Sequence, residues 1–168
     1  GARIGTHTII WAAGVMASPA GKWLGAETDR AGRIVVAPDL TVPGAACVYA
    51  TGDTVAVKDA AGKMVPGVAP SAKQMGEHAA KMIARRISGK GKADEAFRYK
   101  DAGSMATIGR GAAVAAIFGM RLSGFPAWLI WALAHVYFLI GARNRMLVAT
   151  NWLWSYVTFG RGARLITG

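Results

Sequence analysis

The chain has few of the residues that carry chemistry on their own. One cysteine, Cys47, among 168 residues excludes an intrachain disulfide. Three histidines, His7, His78 and His135, stand too far apart in sequence for a Cys/His cluster at metal-ligand spacing, so no metal is expected. Beside an apolar strand, Cys47 reads as a small core residue, and the missing disulfide framework fits a reducing compartment. There is no initiator methionine, and Gly1-Ala2-Arg3-Ile4-Gly5 has neither the apolar core nor the cleavage site of a signal peptide. Position 1 therefore reads as a cut inside a larger protein.

Acidic residues are scarce and unevenly placed. Nine Asp and Glu against 20 Lys and Arg give a net charge of +11, and the last acidic residue is Asp101. Beyond it the chain holds six arginines, no lysine and four of its six tryptophans. Such a charge asks for an anionic partner. The arginines are spaced through apolar sequence rather than clustered on one polar helix face, which disfavours nucleic acid and favours an anionic lipid surface.

Long apolar runs are also missing. Phe125 to Gly141 is nearly all apolar but contains Pro126 and His135, and Met146 to Phe159 carries Asn151, Trp152, Trp154 and Tyr156. A bilayer span needs about 20 apolar residues, and neither stretch reaches that length. Their tryptophan, tyrosine and arginine content suits two helices lying in the headgroup layer, with Arg143, Arg145, Arg161 and Arg164 towards the lipid phosphates. A short span and a buried helical hairpin are the alternatives.

The first 100 residues alternate short strands and turns. Residues 7–13 read as a strand ended by Gly14. Ser18-Pro19 opens a short helix through Trp23-Leu24, and Asp29 to Arg33 is a turn into the strand Ile34-Val35-Val36. Val48-Tyr49-Ala50-Thr51-Gly52-Asp53 reads as a buried strand stopped by glycine, with a carboxylate just beyond. Open α/β sheets bind ligands at that end of a strand. Asp53 can accept hydrogen bonds from ligand hydroxyls, and Gly52 lets backbone come close. For the six residues alone an ordinary strand-end turn is the commoner explanation, since Gly-Asp is frequent in turns. Lys58 to Lys63 is a polar loop. A helix then begins with Pro70 as its first residue, carries Met75, Ala79, Met82, Ile83 and Ile87 at helical spacing, and ends at Gly89. Lys90 to Glu95 is a charged linker and marks a domain boundary. Phe97, Tyr99, Met105, Ala106, Ile108 and Ala112 to Phe118 predict two or three short strands turning at Gly103, Gly109 and Gly111. Gly109-Arg110-Gly111 invites comparison with Gly-x-Gly-x-x-Gly, but Val114 occupies the last position, so no intact phosphate-binding fingerprint occurs.

The order of these pieces resembles a known family. A run ending in Ala12-Ala13-Gly14, a strand ending in Thr51-Gly52-Asp53, and the Ala-x-x-Ala-x-Gln-x-Gly pattern at Ala69, Ala72, Gln74 and Gly76 precede a hydrophobic tail. Together they look like the C-terminal part of the type II NADH:quinone oxidoreductases, single-subunit, non-pumping flavoproteins with two dinucleotide-binding domains. The resemblance implies an α/β fold. Residues 1–14 would end the NADH-binding domain, 15–89 would complete the Rossmann-like FAD-binding domain, and 90–168 would form a C-terminal domain with membrane-associating helices at about 125–159. It implies FAD as cofactor, NADH as substrate and a membrane quinone as electron acceptor, on the cytoplasmic face of the cytoplasmic membrane, with a homodimer possible. Both phosphate loops would lie upstream, so this piece alone should not turn over.

Residue by residue, the resemblance implies that Asp53 holds the ribityl chain of FAD, with Gly52 beside it. Gly14 would border the cofactor cleft. The helix start at Val68 and Ala69 would face the flavin ring, where a helix dipole favours negative charge. Ala69, Pro70 and Gln74 would line the quinone site, and Met105 and Ile108 would supply apolar walls. Pro70 departs from the family pattern, which has a glutamine there, so Gln74 is the matching polar group. No residue is expected to act as a catalytic acid or base. One rival is a non-catalytic membrane-binding module whose Gly-Asp strand is structural. Another is a flavoprotein such as a sulfide:quinone reductase or a soluble disulfide reductase, though these lean on redox cysteines and Cys47 stands alone.

Overall fold

A computed structural model describes residues 3–10, 12, 14–59, 62–92 and 94–159. The chain divides into two compact units, the first ending at Asp101 and the second starting at Ala102.

The first unit opens on extended chain. The apolar pattern predicts a strand over 7–13, but residues 7–10 and 12 form none, and Ile9 and Ile10 are 81% and 86% exposed. A strand is made by its ladder, and no described residue offers one here. Trp11 and Ala13 lie outside the described residues. Helix α1 (Ala20–Trp23) starts one residue later than expected, with Pro19 as its N-cap. In the following loop Asp29 Oδ1 accepts from the backbone N–H of Ala31 and of Arg33, both at 2.9 Å, and this turn feeds β1 (Ile34–Val35).

Strand β2 (Thr41–Val42) pairs antiparallel with β3 (Ala45–Tyr49), and β1 pairs parallel with β4 (Val55–Ala56), Ile34 opposite Val55. The expectation of a buried strand over Val48, Tyr49 and Ala50 is corrected here. Strand β3 ends at Tyr49 and belongs to a two-stranded hairpin, so Val48, Tyr49 and Ala50 are only half-buried. The register of this hairpin shifts between Thr41 and Val42, and Cys47, within the irregular stretch, is exposed rather than a core residue.

The core of this unit joins Leu40, Val55, Val57, Val65, Met75 and Phe97, with Tyr49, Ala50 and Tyr99 packed on it. Leu40 holds a left-handed φ of 71° while fully buried. That conformation costs a non-glycine residue roughly 1–2 kcal/mol, and burying a leucine side chain returns about as much or more. Asp39 accepts from the Thr41 hydroxyl at 2.6 Å and fixes the same turn.

Helix α2 (Ala69–Ser88) begins at Ala69, so Pro70 is its second residue rather than its first. Ser71, Met75, Ala79 and Met82 form its buried stripe, at the three- and four-residue spacing of one helix face. It closes on Gly89 in the left-handed conformation, φ 64°, with Arg85 and Arg86 in its last turn. The expected linker does not leave the unit. Lys92 and residues 94–100 lie back along α2 and bury Phe97, whose N–H donates to Pro38 O at 2.7 Å. The division between units therefore falls after Asp101 and not at residue 90.

The second unit is a three-stranded antiparallel sheet, β5 (Ser104–Gly109), β6 (Ala112–Ile117) and β7 (Met120–Ser123), followed by α3 (Gly124–Tyr137) and α4 (Ala142–Thr158). Phe97 and Tyr99 are not part of it. Alternation along β6 sends Ala113 and Ala115 inward against Ala127 of α3, and Met105, Leu122 and Trp128 close around them. Alanine on both sides lets the helix lie close to the sheet. Gly103 permits a similar approach: a Cβ there would collide with Ala116 O. Helices α3 and α4 meet through aromatic rings, Trp131 on Trp152 at 5.3 Å and 5° between planes, Trp128 on Tyr156 at 5.0 Å. Arg143 and Arg145, expected after the first helix, open the second. No described helix is long and apolar enough to cross a membrane. Arg161 and Arg164 lie outside the described residues.

Candidate functional site

The turn after β3 and the start of α2 form one assembly. Gly52–Thr54 is a single 3₁₀ turn, entered from extended Thr51. Gly52 has φ 80°, a value that leaves glycine as the unstrained choice. Its N–H points at the sulfur of Met75, 3.3 Å away, and its Cα side faces Ala72 of the same helix. The Thr-Gly-Asp turn is thereby tied to the first two turns of α2.

Asp53 projects from this turn. It is exposed, and its carboxylate makes no hydrogen bond or ion pair among the described residues. Gly67 stands directly beside it: a Cβ added there would lie 3.7 Å from Oδ1. The carboxylate thus has open space and spare acceptor capacity.

Ser71 builds the helix start. The hydroxyl, buried, donates to Pro66 O at 2.6 Å, and its Oγ lies 3.4 Å from the Val68 N–H that points towards it. This is the returning half of a capping box, with serine in place of the usual glutamate. Ser71 N and Ala72 N both bond to Val68 O, at 3.0 and 3.1 Å. Pro70 has no N–H to give, so Ala69 supplies the open donor at the positive end of the helix. Val68 and Ala69 are exposed and Pro70 is half-buried.

Gln74 is half-buried, and both ends of its carboxamide are engaged. Nε2 donates to Lys100 O and Oε1 accepts from Lys100 N, each at 2.9 Å. Gly14 is exposed, with φ 93° and nothing within 4 Å of where a Cβ would stand. In the second unit Met105 packs in the small core beneath α3, whereas Ile108 is 72% exposed. The residues brought together are therefore Gly52, Asp53, Gly67 and the first turn of α2. Gly14 stands apart from them.

Sequence reasoning missed Met75, Ser71 and Lys100 as parts of this assembly. Ser71, third residue of a helix that lacks a capping side chain at Val68, carried a readable signal. A sulfur acceptor and a backbone partner 26 residues away carried none.

Electrostatics around the helix are modest. Glu95 has its pKa lowered, first by the hydrogen bond from Arg85 at 2.7 Å and then by that arginine's charge. The Tyr99 phenol is pushed up, chiefly by desolvation and further by Asp101.

Comparison with known proteins follows the same division. Residues 102–162 match the NDH2 C-terminal domain, and this match begins where the second unit begins. Over 98% of its length the chain is 41% identical to the type II NADH:quinone oxidoreductase Ndh of Mycobacterium tuberculosis and 42% identical to NdhA of the same organism. It is 33% identical over 96% of its length to the internal alternative NAD(P)H-ubiquinone oxidoreductase A1, mitochondrial, of Arabidopsis thaliana. The chain spans 36%, 36% and 34% of these three proteins. With both its units covered by these matches, the chain belongs to the type II NADH:quinone oxidoreductase family and corresponds to its C-terminal part.

Proposed function

We propose that the whole protein is an FAD-dependent NADH:quinone oxidoreductase and that this chain contributes the ribityl contact, the helix under the flavin and the membrane-facing tail. The observation that carries the reading is Asp53, an exposed carboxylate without a partner among the described residues, on a turn anchored to α2. Such a group fits a polyhydroxylated cofactor chain. FAD supplies, when bound, a hydride acceptor for NADH and a two-electron donor to quinone.

The chain's own residues bind and orient. Asp53 accepts hydrogen bonds from ribityl hydroxyls, and Gly52 and Gly67 keep the space beside it free of side chains. The Ala69 N–H and the positive end of α2 favour negative charge on the ring. Ala69, Pro70 and Gln74 border the quinone, while Met105 and Ile108 are candidates for apolar contact with it. Gly14 belongs to the edge of the NADH-binding domain, the rest of the first unit to the Rossmann-like FAD-binding domain, and the second unit, from Ala102, to the C-terminal domain.

Helices α3 and α4 attach the protein to an anionic membrane surface without spanning it. Supporting this, Phe125, Leu133, Tyr137, Phe138, Leu153 and Trp154 are all exposed. Attachment would be peripheral, on the cytoplasmic face. The test is the absorbance of the purified full-length protein. A flavin spectrum, or stoichiometric uptake of added FAD, is expected, and a colourless protein that takes up no FAD would overturn the reading.

A further inference from the structure

We propose that Gln74 is a positioning residue, whose carboxamide acts through the backbone of Lys100 to fix the point where the chain leaves the first unit. The inference rests on the quinone-site reading above and says how Gln74 serves it.

A primary amide is the side chain that can offer one donor and one acceptor in a plane, and here both meet the same backbone residue. The pairing imitates a strand neighbour. Two further contacts continue along this face of α2: His78 Nε2 lies 2.8 Å from Glu95 O, and Arg85 donates to Lys92 O at 3.0 Å. Positions 74, 78 and 85 share one helix face, distinct from the buried stripe of Ser71, Met75, Ala79 and Met82. Lys92 and residues 94–100 thus run back along the helix as a strap, with the buried Phe97 within it and the ring of His78 edge-on to Phe97 at 5.6 Å.

Among these ties the Gln74 pair lies nearest the second unit. Lys100 stands two positions before Ala102, where the NDH2 C-terminal match begins. Without it, the next anchors back are the half-buried Tyr99, packed on the core, and then Phe97. Leucine at 74 would keep the bulk of the side chain and lose the tie, so its effect on the quinone half-reaction would arise through Lys100 rather than through a lost bond to quinone.

The test uses the full-length protein in three forms: Gln74→Leu, Lys100→Pro and the double variant. Proline at 100 removes the N–H that Gln74 accepts and leaves Gln74 itself untouched. Both single variants should raise the quinone KM by about three- to tenfold with flavin reduction by NADH unchanged, and the double variant should be no worse than either. Amide exchange at Lys100 should quicken by about tenfold in Gln74→Leu. A wild-type quinone KM in Lys100→Pro beside a raised one in Gln74→Leu would overturn the proposal in favour of direct contact. If Lys100→Pro does not fold, unchanged protection of the Lys100 amide in Gln74→Leu overturns it alone. A wild-type protein that passes no electrons to quinone ends the functional reading instead, and the exchange rate at Lys100 still decides the tie.

Discussion

The backbone N–H of Gly52 lies 3.3 Å from the sulfur of Met75, and this contact joins the Thr-Gly-Asp turn to the helix that follows it. Methionine suits the position because its sulfur accepts weakly while the rest of the side chain stays in the core, where Met75 is 2% exposed. The carboxylate of Asp53 is thereby held by a turn that a core residue fixes from below.

Substituting Gly52 by alanine therefore tests the turn without touching the carboxylate. Space is not the obstacle, since the new Cβ would sit 3.7 Å from the Ala72 Cβ. The left-handed φ is, at a cost of about 1–2 kcal/mol. Thermal or denaturant unfolding of the full-length protein should show that loss, and FAD retention should fall with it. Wild-type stability would mean that the turn relaxes freely.

Asp53→Ala should do the opposite: little change in stability and a large change in cofactor binding. Losing charge-assisted hydrogen bonds should weaken FAD binding by about 1.5–3 kcal/mol, roughly ten- to a hundredfold. Flavin occupancy after dialysis measures this directly, and unchanged occupancy would remove Asp53 from the site.

The strap carries a pH dependence. Glu95 has a folded pKa below its unfolded value because Arg85 stabilises the carboxylate, so the pair contributes at neutral pH and is lost as pH falls through that lowered value. Protection of the amides within residues 92–100, taken relative to their intrinsic exchange at each pH, should fall on acidification below the ordinary glutamate range, and Glu95→Gln should abolish the change. A pH-independent strap in the wild type would show that the exposed pair contributes nothing, as many such pairs do.

The tail gives a separate prediction. Truncation before Pro126 should release the full-length protein from anionic liposomes and reduce activity with long-chain quinone, while a water-soluble short-chain acceptor should still be reduced. High salt should weaken binding of the intact protein without abolishing it, because salt screens the arginines and leaves aromatic insertion intact. Binding that vanishes in salt would assign attachment to charge alone.

Local signals made part of this fold legible in the sequence. The turn held by Asp29, the strand at Ile34-Val35, and a helix punctuated by Pro70 and Gly89 are each written in a few neighbouring residues. Pairing was not legible. Residues 7–13 have a strand's composition and no ladder among the described residues, and Cys47 is exposed in a hairpin whose register shift no local signal announces. Strand β7 went unread because its entry turn uses Phe118 at φ 50° before Gly119, a conformation its residue type does not announce. At the site, Asp53 and its turn were readable, whereas the Gln74 partner depends on the chain folding back over 26 residues.

Electron transfer from NADH through FAD to quinone, proposed for the full-length protein, is tested most directly by anaerobic rapid mixing. NADH should bleach the flavin absorbance in one phase, and adding quinone should restore it in a second phase faster than turnover. A flavin that NADH reduces but quinone does not reoxidise, or one that NADH leaves oxidised, would contradict the claim.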